Sequence, residues 1–468
     1  PNALVSLVAR FARQRGPFKA ASVEKRFGLG PDVARAALLA LVGSGKLVMG
    51  SFSPRGTGEE FVDADVLRTI KRRSLARLRK AVEPVPPSVL ARFLISHHGI
   101  VQKRAGHEAL LTAVEKLESL VLPTSVWFGD VFPARVRNFS PLLLDELCAA
   151  GEIVWRGSGA IGDGDGKIAF HLVDRLPLLA PPPAPIGHPL AEKVLEVLRA
   201  RGAVFFQNIV AEVQAFAGDV LDAIWDLVGA GLVTNDTTLP LRSRFGLGSG
   251  EPLHGRAARF RTRRALPPGS EGRWSLLPVG VAASPADRAA ALTNLLLDRN
   301  GVLTREVASA EGIEGGFSAI YPVLRLMEEG GRARRGYFVE GLGAAQFSRA
   351  GIEEQLRALR EPPREVEAIR LAAMDPANPY GASVPWPEAK GARPARATGA
   401  HVVLVNGELA AFLGRGEQQL ATFLPAEDPD RARVLNAVAR TLSAWTLSLI
   451  HISEPTRLRR ISYAVFCL

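Results

Sequence analysis

Three short segments concentrate residues with an interpretable chemistry, because they carry many cations and no acid. Residues 68–80 hold seven basic side chains, residues 256–264 hold five, and residues 332–335 hold three. Cations this dense repel one another unless a polyanion is near, so the pattern indicates contact with nucleic-acid phosphates. The predicted contact residues are Arg68, Lys71, Arg72, Arg73, Arg77, Arg79, Lys80, Arg256, Arg259, Phe260, Arg261, Arg263, Arg264, Arg332, Arg334 and Arg335.

Two of these segments also fit a purely structural interpretation. In residues 68–80, Ile70, Leu75 and Leu78 mark one apolar helix face, so the cations would also suit a solvated surface. The segment 256–264 lies near glycines and would also suit a flexible linker. Phe260 favours the nucleic-acid interpretation, because an aromatic ring can stack on an unpaired base.

Aromatic side chains divide into two predicted groups. Trp155, Trp225 and Trp274 lie in apolar patterns and are predicted to be core residues. Tyr380 and Trp386 lie in a proline-rich loop and are predicted to be exposed, where they could stack on bases.

The elements that must position these residues recur four times along the chain. Each is an apolar helix that stops at a glycine, Gly45, Gly151, Gly231 or Gly331, and most are followed by a short strand. Glycine suits the left-handed residue just past a helix end. Helices followed by a two-stranded hairpin are typical of the winged helix, a variant of the helix-turn-helix arrangement that binds DNA.

The helix that normally reads DNA in such a domain is not basic here. Across residues 31–45, 140–151, 218–231 and 317–331, acids exceed bases by six. DNA phosphates would repel this set, so we interpret most of these domains as scaffold and assign nucleic-acid contact to the three basic segments.

The C-terminal part has a different pattern. Two apolar runs flank Asn406-Gly407, the pair that a type I′ hairpin turn requires, and nearby prolines argue against helix. The predicted fold is therefore α+β, with about four tandem winged-helix domains followed by a small antiparallel β-barrel module. The predicted segments are winged helices at 1–64, 105–178, 179–245 and 283–350, a basic connector at 65–104, a linker at 246–282, the barrel at 351–446 and a tail at 447–468.

Composition limits the class of protein. The 468 residues carry a net charge of +11 and 47% hydrophobic residues, with no apolar run long enough for a membrane span. Two cysteines exclude a disulfide scaffold and favour a reducing, cytoplasmic setting. The first residues indicate a start inside a longer gene product. Residues 447–468 resemble translated sequencing-adapter read-through and are predicted to add nothing to folding or DNA binding.

Several short patterns suggest a binding site but lack residues at the spacing that the site requires. Lys46 and Lys167 follow glycines but lack the rest of a phosphate-binding loop, so this chain is predicted not to hydrolyse ATP. His97 and His98 have no partners at metal spacing and are predicted to be a solvated or capping pair, with no metal site. The glycine-rich run at 162–166 is predicted to be a hairpin tip.

Seven stretches together resemble the C-terminal half of the large helicase-related (Lhr) proteins of superfamily 2. They are ARFARQRGPF (9–18), VLRTIKRRSLARLRKAVEPVP (66–86), ARVRNFSPLLLDELCAAGEIVW (134–155), AIWDLVGAGLVTNDT (223–237), EGRWSLLP (271–278), RRGYFVEGLGAAQF (334–347) and DPANPYG (375–381).

The resemblance implies tandem winged helices and a β-barrel module, similar to AlkZ-type DNA glycosylases. It also implies an ATP-dependent helicase that moves 3′ to 5′ on single-stranded DNA in DNA repair. The ATPase core, with its ATP and magnesium, would lie upstream in the same polypeptide, so no cofactor is expected here. Some members are associated with uracil excision.

Two function classes follow from these observations. The first, which we favour, is a DNA-binding module that engages single-stranded DNA. The second is a DNA glycosylase for uracil or an alkylated base, which needs a carboxylate or amide near a base-sized pocket. Asp375, Glu340 and Gln346 are available, but their spacing singles out none of them, so the catalytic residue is unassigned. A scaffold that forms a homo-oligomer is compatible with either class.

Overall fold

The computed structural model describes residues 2–53, 58–71, 73, 83–159, 161, 164–247, 266–278, 283–343, 345–388, 393–417 and 419–450. The chain divides into two compact units, residues 1–83 and residues 84–468. Among the helices of the described residues, none is long and apolar enough to cross a membrane.

In the first unit, three helices pack their apolar faces against a hairpin. Val8, Val23 and Leu38, one from each helix, are fully buried together with Phe61 of the hairpin. Phe18 forms an antiparallel bridge to Phe61, which adds a third strand position. The elements are α1 (Asn2–Arg13), α2 (Ala20–Phe27), α3 (Pro31–Gly43), β1 (Leu47–Gly50), β2 (Glu60–Asp63) and a further helix, α4, at 64–71.

The second unit begins with a buried helix and then shows the same order of elements. Its first sheet has three strands, and the last strand in sequence lies between the other two. A π-helical turn, Trp127–Val131, separates two short helices. The elements are α5 (Pro87–His97), α6 (His107–Leu117), β3 (Leu122–Pro123), α7 (Thr124–Val126), α8 (Phe132–Arg135), α9 (Pro141–Ala149), β4 (Ile153–Gly157), β5 (Lys167–Leu172) and α10 (Leu176–Leu179).

Two further segments of the second unit repeat this arrangement, each with its last strand between the other two. The first comprises α11 (Pro189–Arg201), β6 (Val204–Phe205), α12 (Phe206–Val213), α13 (Ala217–Gly229), β7 (Val233–Asn235), α14 (Leu239–Arg244) and β8 (Arg273–Leu276). The second comprises α15 (Pro285–Asn300), β9 (Val302–Leu303), α16 (Arg305–Ala310), α17 (Gly316–Glu329), β10 (Ala333–Gly336) and β11 (Gln346–Arg349).

The four repeated glycines end their helices as predicted. Gly45, Gly151, Gly231 and Gly331 have φ values of 72°, 77°, 74° and 70°. After each glycine, the next residue donates its N–H to a carbonyl five positions back, at 2.8 to 3.1 Å. This bond satisfies a carbonyl that the helix end would otherwise leave unpaired, and it turns the chain toward the following strand.

The segments 105–175 and 189–276 share one hydrophobic core. Trp155 of β4 stacks on Trp225 of α13 at 6.5 Å between ring centroids, and Trp274 of β8 meets both rings edge-on. Trp155 and Trp274 are fully buried and Trp225 is nearly so. The prediction that these three residues belong to the core is confirmed.

The C-terminal part is a four-stranded antiparallel sheet in sequence order. The turn residues Asn406 and Gly407 have φ values of 50° and 83°, as the predicted type I′ turn requires. Val402 faces a core shared with α5, whereas Val403 faces a helix on the opposite side. The elements are α18 (Ile352–Ala358), β12 (Ala368–Ala372), β13 (His401–Val405), β14 (Glu408–Leu413), β15 (Leu420–Thr422) and α19 (Asp430–Ile450).

One expectation about this C-terminal part, the barrel, is not confirmed. The described strands form an open sheet that does not close on itself, so the predicted barrel is not seen. Helices cover both faces of the sheet, which buries its apolar side chains without closure. The last helix continues to Ile450, into the stretch 447–468 where the sequence shows no helical period, because extending a helix costs little once it has formed. Residues 451–468 lie outside the described residues.

Candidate nucleic-acid interface

The hairpin of β10 and β11 presents the third predicted basic segment to solvent. Arg332, Arg334 and Arg335 are all exposed. Arg334 forms ion pairs with Glu353 and with Glu354, the latter at 3.5 Å. The pair with Glu354 joins two exposed side chains and is worth little, so it can give way to a phosphate, whereas the Glu353 side chain is only 16% exposed. Arg332 is therefore accessible to an incoming polyanion, and so are the exposed parts of Arg334 and of Arg335, whose guanidinium lies 5.9 Å from the Phe347 ring centroid.

An exposed aromatic side chain lies beside these arginines. Tyr337 follows β10 directly, and 49% of its surface is exposed. Its hydroxyl oxygen accepts a hydrogen bond from the N–H of Gly341 at 3.2 Å. Sequence reasoning missed this residue, although the run RRGYF places a tyrosine two positions after the last arginine. A ring in this position can stack on an unpaired base while the arginines hold the strand.

The first basic segment is described only in part. Arg68, Lys71 and Arg73 are exposed, and Arg68 pairs with the equally exposed Asp65 at 2.9 Å. Since salt screens such a pair, the cations remain available to phosphate. The other predicted contacts of this segment and the whole basic linker lie outside the described residues. They are Arg72, Arg77, Arg79, Lys80, Arg256, Arg259, Phe260, Arg261, Arg263 and Arg264.

Helix α9, which would read DNA in an isolated domain, contacts the next segment through one acidic side chain, while Leu142 and Glu146 remain exposed. Its Asp145 accepts hydrogen bonds from the backbone N–H and the hydroxyl of Thr238, at 2.7 and 2.6 Å. The same carboxylate pairs with Arg242 of α14. The acid of this helix therefore serves packing between segments, which supports its interpretation as scaffold.

Helix α13 is also committed to packing at its C-terminal end. Gly159 donates its N–H to the carbonyl of Gly229 at 3.0 Å, which joins the preceding hairpin to this helix end. The solvent side of α13 carries Asp219, Asp222 and Asp226, all exposed. This acidic surface would repel phosphate.

The predicted exposure of two aromatic residues is wrong for one and only partly right for the other. Tyr380 is buried, its hydroxyl donates to the carbonyl of Gly407 at 3.1 Å, and burial raises the pKa of Tyr380 to about 12. Trp386 is half-buried and packs edge-on against Phe412. The prolines of this loop fold it onto the sheet, so Tyr380 cannot stack on a base.

Two of the three side chains considered for base excision have structural roles. Asp375 is fully buried and accepts two hydrogen bonds from Arg135, at 2.7 and 2.8 Å. The Gln346 side chain is also buried and bonds the backbone of Phe338 and Val339. Glu340 is exposed on a loop.

His97 and His98 do not form a solvated pair, because His97 is half-buried and His98 is buried. His98 is buried, and Arg135 donates a hydrogen bond to the Nδ1 atom of its ring at 3.2 Å. The ring hydrogen therefore lies on Nε2, which donates to the carbonyl of Arg299 at 3.0 Å. Burial, reinforced by the charge of Arg135, holds the pKa of His98 well below its usual range. His98 is therefore a neutral structural link, and the described residues contain no cluster suited to a metal ion.

A polar cluster that the sequence did not reveal borders a cleft of about 460 Å³, to whose lining it contributes Asp130 and Arg370. Asp130, in the π-helical turn, accepts hydrogen bonds from His401 at 3.0 Å and from Arg370 at 3.3 Å. These partners lie 271 and 240 residues away in sequence, so no local spacing indicates the cluster. Trp445 lies against both, with its ring 5.0 Å from that of His401 and 4.4 Å from the Arg370 guanidinium.

Repeated helical segments with one strand order, one of them carrying an exposed basic hairpin, define a tandem winged-helix protein. Two family models described as "Large helicase-related protein, winged-helix domain" match the chain. The model for the third such domain matches residues 85–173, and the model for the fourth matches residues 282–368.

Two relatives extend the match beyond these domains. The "Lhr helicase/ probable uracil glycosylase" of Mycolicibacterium smegmatis is 43% identical over 450 residues, which covers 92% of this chain and 30% of that protein. The "Lhr helicase/uracil glycosylase" of Escherichia coli is 32% identical over 424 residues, which covers 82% of this chain and 27% of that protein. Residues 85–173 and 282–368 thus match winged-helix domains of the large helicase-related family, and the chain as a whole is similar to the C-terminal part of both relatives.

A solved structure shows a more distant similarity. The DNA glycosylase AlkZ of Streptomyces sahachiroi covers 77% of this chain with 96% of its own length, at 12% identity and a TM-score of 0.44. That score is too low for the similarity to bear on function.

Proposed function

We propose that this chain is the DNA-binding C-terminal region of an Lhr-type ATP-dependent helicase and that it engages single-stranded DNA in repair. The observation that carries the proposal is the exposed hairpin with Arg332, Arg334, Arg335 and Tyr337. ATP hydrolysis and strand movement would belong to a helicase core in the same polypeptide, and this chain by itself would hydrolyse no ATP.

A preference for single strands follows from what each surface offers. A duplex-reading winged helix inserts its third helix into the major groove. Here Asp145 of α9 is bonded to the next segment, and α13 presents three acids to solvent. An arginine-rich hairpin with a tyrosine needs no groove, because it can pair with phosphates and stack on one unpaired base. The basic residues near 68–80 and 256–264 would add sequence-independent affinity.

Removal of the hairpin charges tests this proposal. The triple variant Arg332→Gln, Arg334→Gln, Arg335→Gln should bind a single-stranded oligonucleotide roughly tenfold more weakly at physiological salt, since it loses three phosphate contacts. Fluorescence anisotropy with a labelled strand measures the affinity.

The matched control removes three exposed arginines of α19, by Arg431→Gln, Arg433→Gln and Arg440→Gln. This variant carries the same change of net charge and should bind nearly as well as the unmodified chain. Equal losses in the two triple variants would mean that total charge, and not the hairpin, determines the affinity.

Base excision is a second candidate function, favoured by the cleft at Asp130. Both hydrogen bonds that Asp130 accepts from described residues end on Oδ1, so Oδ2 is available to a ligand. Burial raises the pKa of Asp130, but the hydrogen bond and charge of His401 and the charge of Arg370 outweigh it, so the pKa is lowered and the group is ionised. An ionised carboxylate can stabilise a sugar cation or orient water while the bond from sugar to base breaks.

The names of both relatives make uracil the first base to test. Hydrolysis would add water across the bond, giving free uracil and an abasic strand. Asp130→Asn should abolish uracil release, whereas Asp222→Asn, at an exposed position on α13, should leave it unchanged. Uracil release by the Asp130 variant at the unmodified rate would exclude this cleft as the site.

A further inference from the structure

The cleft at Asp130 has the size and the walls of a ligand site. One wall is the π-helical turn and the start of α8, at residues 129–134, and the opposite wall is β12 with the residues before it, at 367–372. Its volume of about 460 Å³ lies within the ~300–1,000 Å³ usual for small-molecule sites. Ile100, Val101 and Pro133 supply apolar surface.

The π-helical turn accounts for the position of Asp130. Such turns are rare, hold one extra residue per turn and occur often at functional sites. Here the turn places Asp130 between the buried neighbours Phe128 and Val131 and directs its carboxylate to His401 and Arg370.

Cations lie at two places around the cleft. Arg370 contributes from β12, with 21% of its side chain exposed. Lys103 lies at the rim and donates to the carbonyl of Pro133 at 2.8 Å. Glu367 is the other acid of the lining, next to the start of β12. The cleft therefore offers a carboxylate acceptor inside and cations within the same lining, beside apolar surface.

We propose that this cleft binds a single nucleotide unit, with a phosphate at Lys103 and Arg370 and a base or sugar donor at Asp130 Oδ2. The inference deepens the proposed function, because a strand held by the basic hairpin would supply such a unit. A free mononucleotide has the same chemistry and is the other source. His401 and Trp445 act as positioning residues, since they hold Asp130 and Arg370 in place.

Light-activated crosslinking tests the proposal with two probes. One probe is a single-stranded oligonucleotide with one 5-iodouracil, and the other is 5-iodo-deoxyuridine monophosphate. Crosslinked peptides are mapped by mass spectrometry. We expect crosslinks within residues 100–103, 129–134 or 367–372. Cleft crosslinks from the oligonucleotide assign the source to a strand, and cleft crosslinks from the mononucleotide alone assign it to a free nucleotide.

Three variants make the result specific. Asp130→Asn and Lys103→Gln should each lower the crosslink yield in the cleft at least fivefold. Lys103 lies at the rim, so its variant should fold even if Asp130→Asn does not. Lys193→Gln, at an exposed position on α11, is the control and should change nothing.

Two results would overturn the inference. In the first, neither probe gives a crosslink in the cleft. In the second, cleft crosslinks form, but the Asp130 and Lys103 variants give them in the same yield as the unmodified chain. A chain that fails to bind the oligonucleotide but crosslinks the mononucleotide in the cleft would instead contradict the proposed DNA binding and leave this inference standing.

Discussion

At the scale of single residues, the buried pair of Asp375 and Arg135 stabilises the fold. Asp375 begins the stretch DPANPYG, and its carboxylate is held by Arg135 and by the N–H of Ala377 at 2.8 Å. Asn378 of the same stretch bonds the carbonyls of Ala373 and Tyr380 through its side chain. These bonds hold the loop against α8. They give Asp375 and Asn378 structural roles that account for both residues without catalysis.

Neutralising Asp375 should be strongly destabilising. Asp375→Asn leaves the Arg135 charge buried without a counter-ion, and breaking a buried pair in this way costs about 3–5 kcal/mol. Urea unfolding monitored by tryptophan fluorescence measures the change in free energy of unfolding. The control Glu340→Gln, at an exposed position, should stay within about 0.5 kcal/mol of the unmodified chain. A loss below about 1 kcal/mol in the Asp375 variant would contradict a structural role.

Glu118 should make stability depend on pH. Burial raises the pKa of Glu118 to about 7, even though its carboxylate accepts from the N–H of Leu172 and pairs with Arg175. Because the folded state holds the Glu118 proton more tightly than the unfolded state does, protonation of this carboxyl group stabilises the fold. The stabilisation is complete below about pH 4.5 and is lost as pH rises through 7.

The variant Glu118→Gln should therefore gain stability relative to the unmodified chain between pH 5 and pH 8, by as much as about 3 kcal/mol. Urea unfolding of both proteins at several pH values gives the difference, which cancels the titration of groups common to both. A difference that stays constant over this range would show that Glu118 does not titrate there.

At the scale of elements, glycines allow two segments to pack closely. Gly157 ends β4 directly beside the backbone of Val228 in α13, so a Cβ there would overlap the Val228 carbonyl oxygen. Gly229 lies as close to the carbonyl of Gly159, and an added Cβ would overlap it. These contacts are made by backbone, which cannot yield as a flexible side chain would.

Replacement of Gly157 by alanine should separate this hairpin from α13. Overpacking of a close contact costs about 1–3 kcal/mol, and here the shared tryptophan core would also shift. Thermal unfolding followed by near-ultraviolet circular dichroism reports on those tryptophans. The control is Gly218→Ala within α13, where a Cβ meets nothing within 4 Å and the helix should gain up to about 1 kcal/mol. Similar melting temperatures for the two variants would refute the close packing.

The sequence predicted the local elements well and the contacts between segments poorly. Helices that end at Gly45 or Gly151, and the turn at Asn406-Gly407, depend on local backbone chemistry, so their signals are visible in a few adjacent residues. The contact of Asp145 with Thr238 and the burial of Tyr380 depend on partners far along the chain. Asp130 and His401 likewise lie far apart in the sequence, so their contact was not predicted. The arginines at 332–335 were predicted because a high density of charge is visible in a few adjacent residues.

At the scale of the whole molecule, charge is distributed unevenly along the chain. The chain spans about a third or less of the length of the two relatives. Its net charge of +11 is smaller than the sum over its three basic segments, so the remainder is acidic on balance. This distribution would orient a nucleic-acid strand toward the basic segments and away from the acidic helices.

The salt dependence of DNA binding shows whether the hairpin arginines contact phosphates. The affinity for a single-stranded oligonucleotide is measured at several salt concentrations, and the slope of log affinity against log salt counts the phosphate contacts, at about 0.7 per contact. For the variant with Arg332, Arg334 and Arg335 changed to Gln, the slope should be about 2 units shallower than for the unmodified chain. The α19 triple variant should keep the original slope. An unchanged slope in the hairpin variant would contradict the account, because these arginines would then not touch DNA.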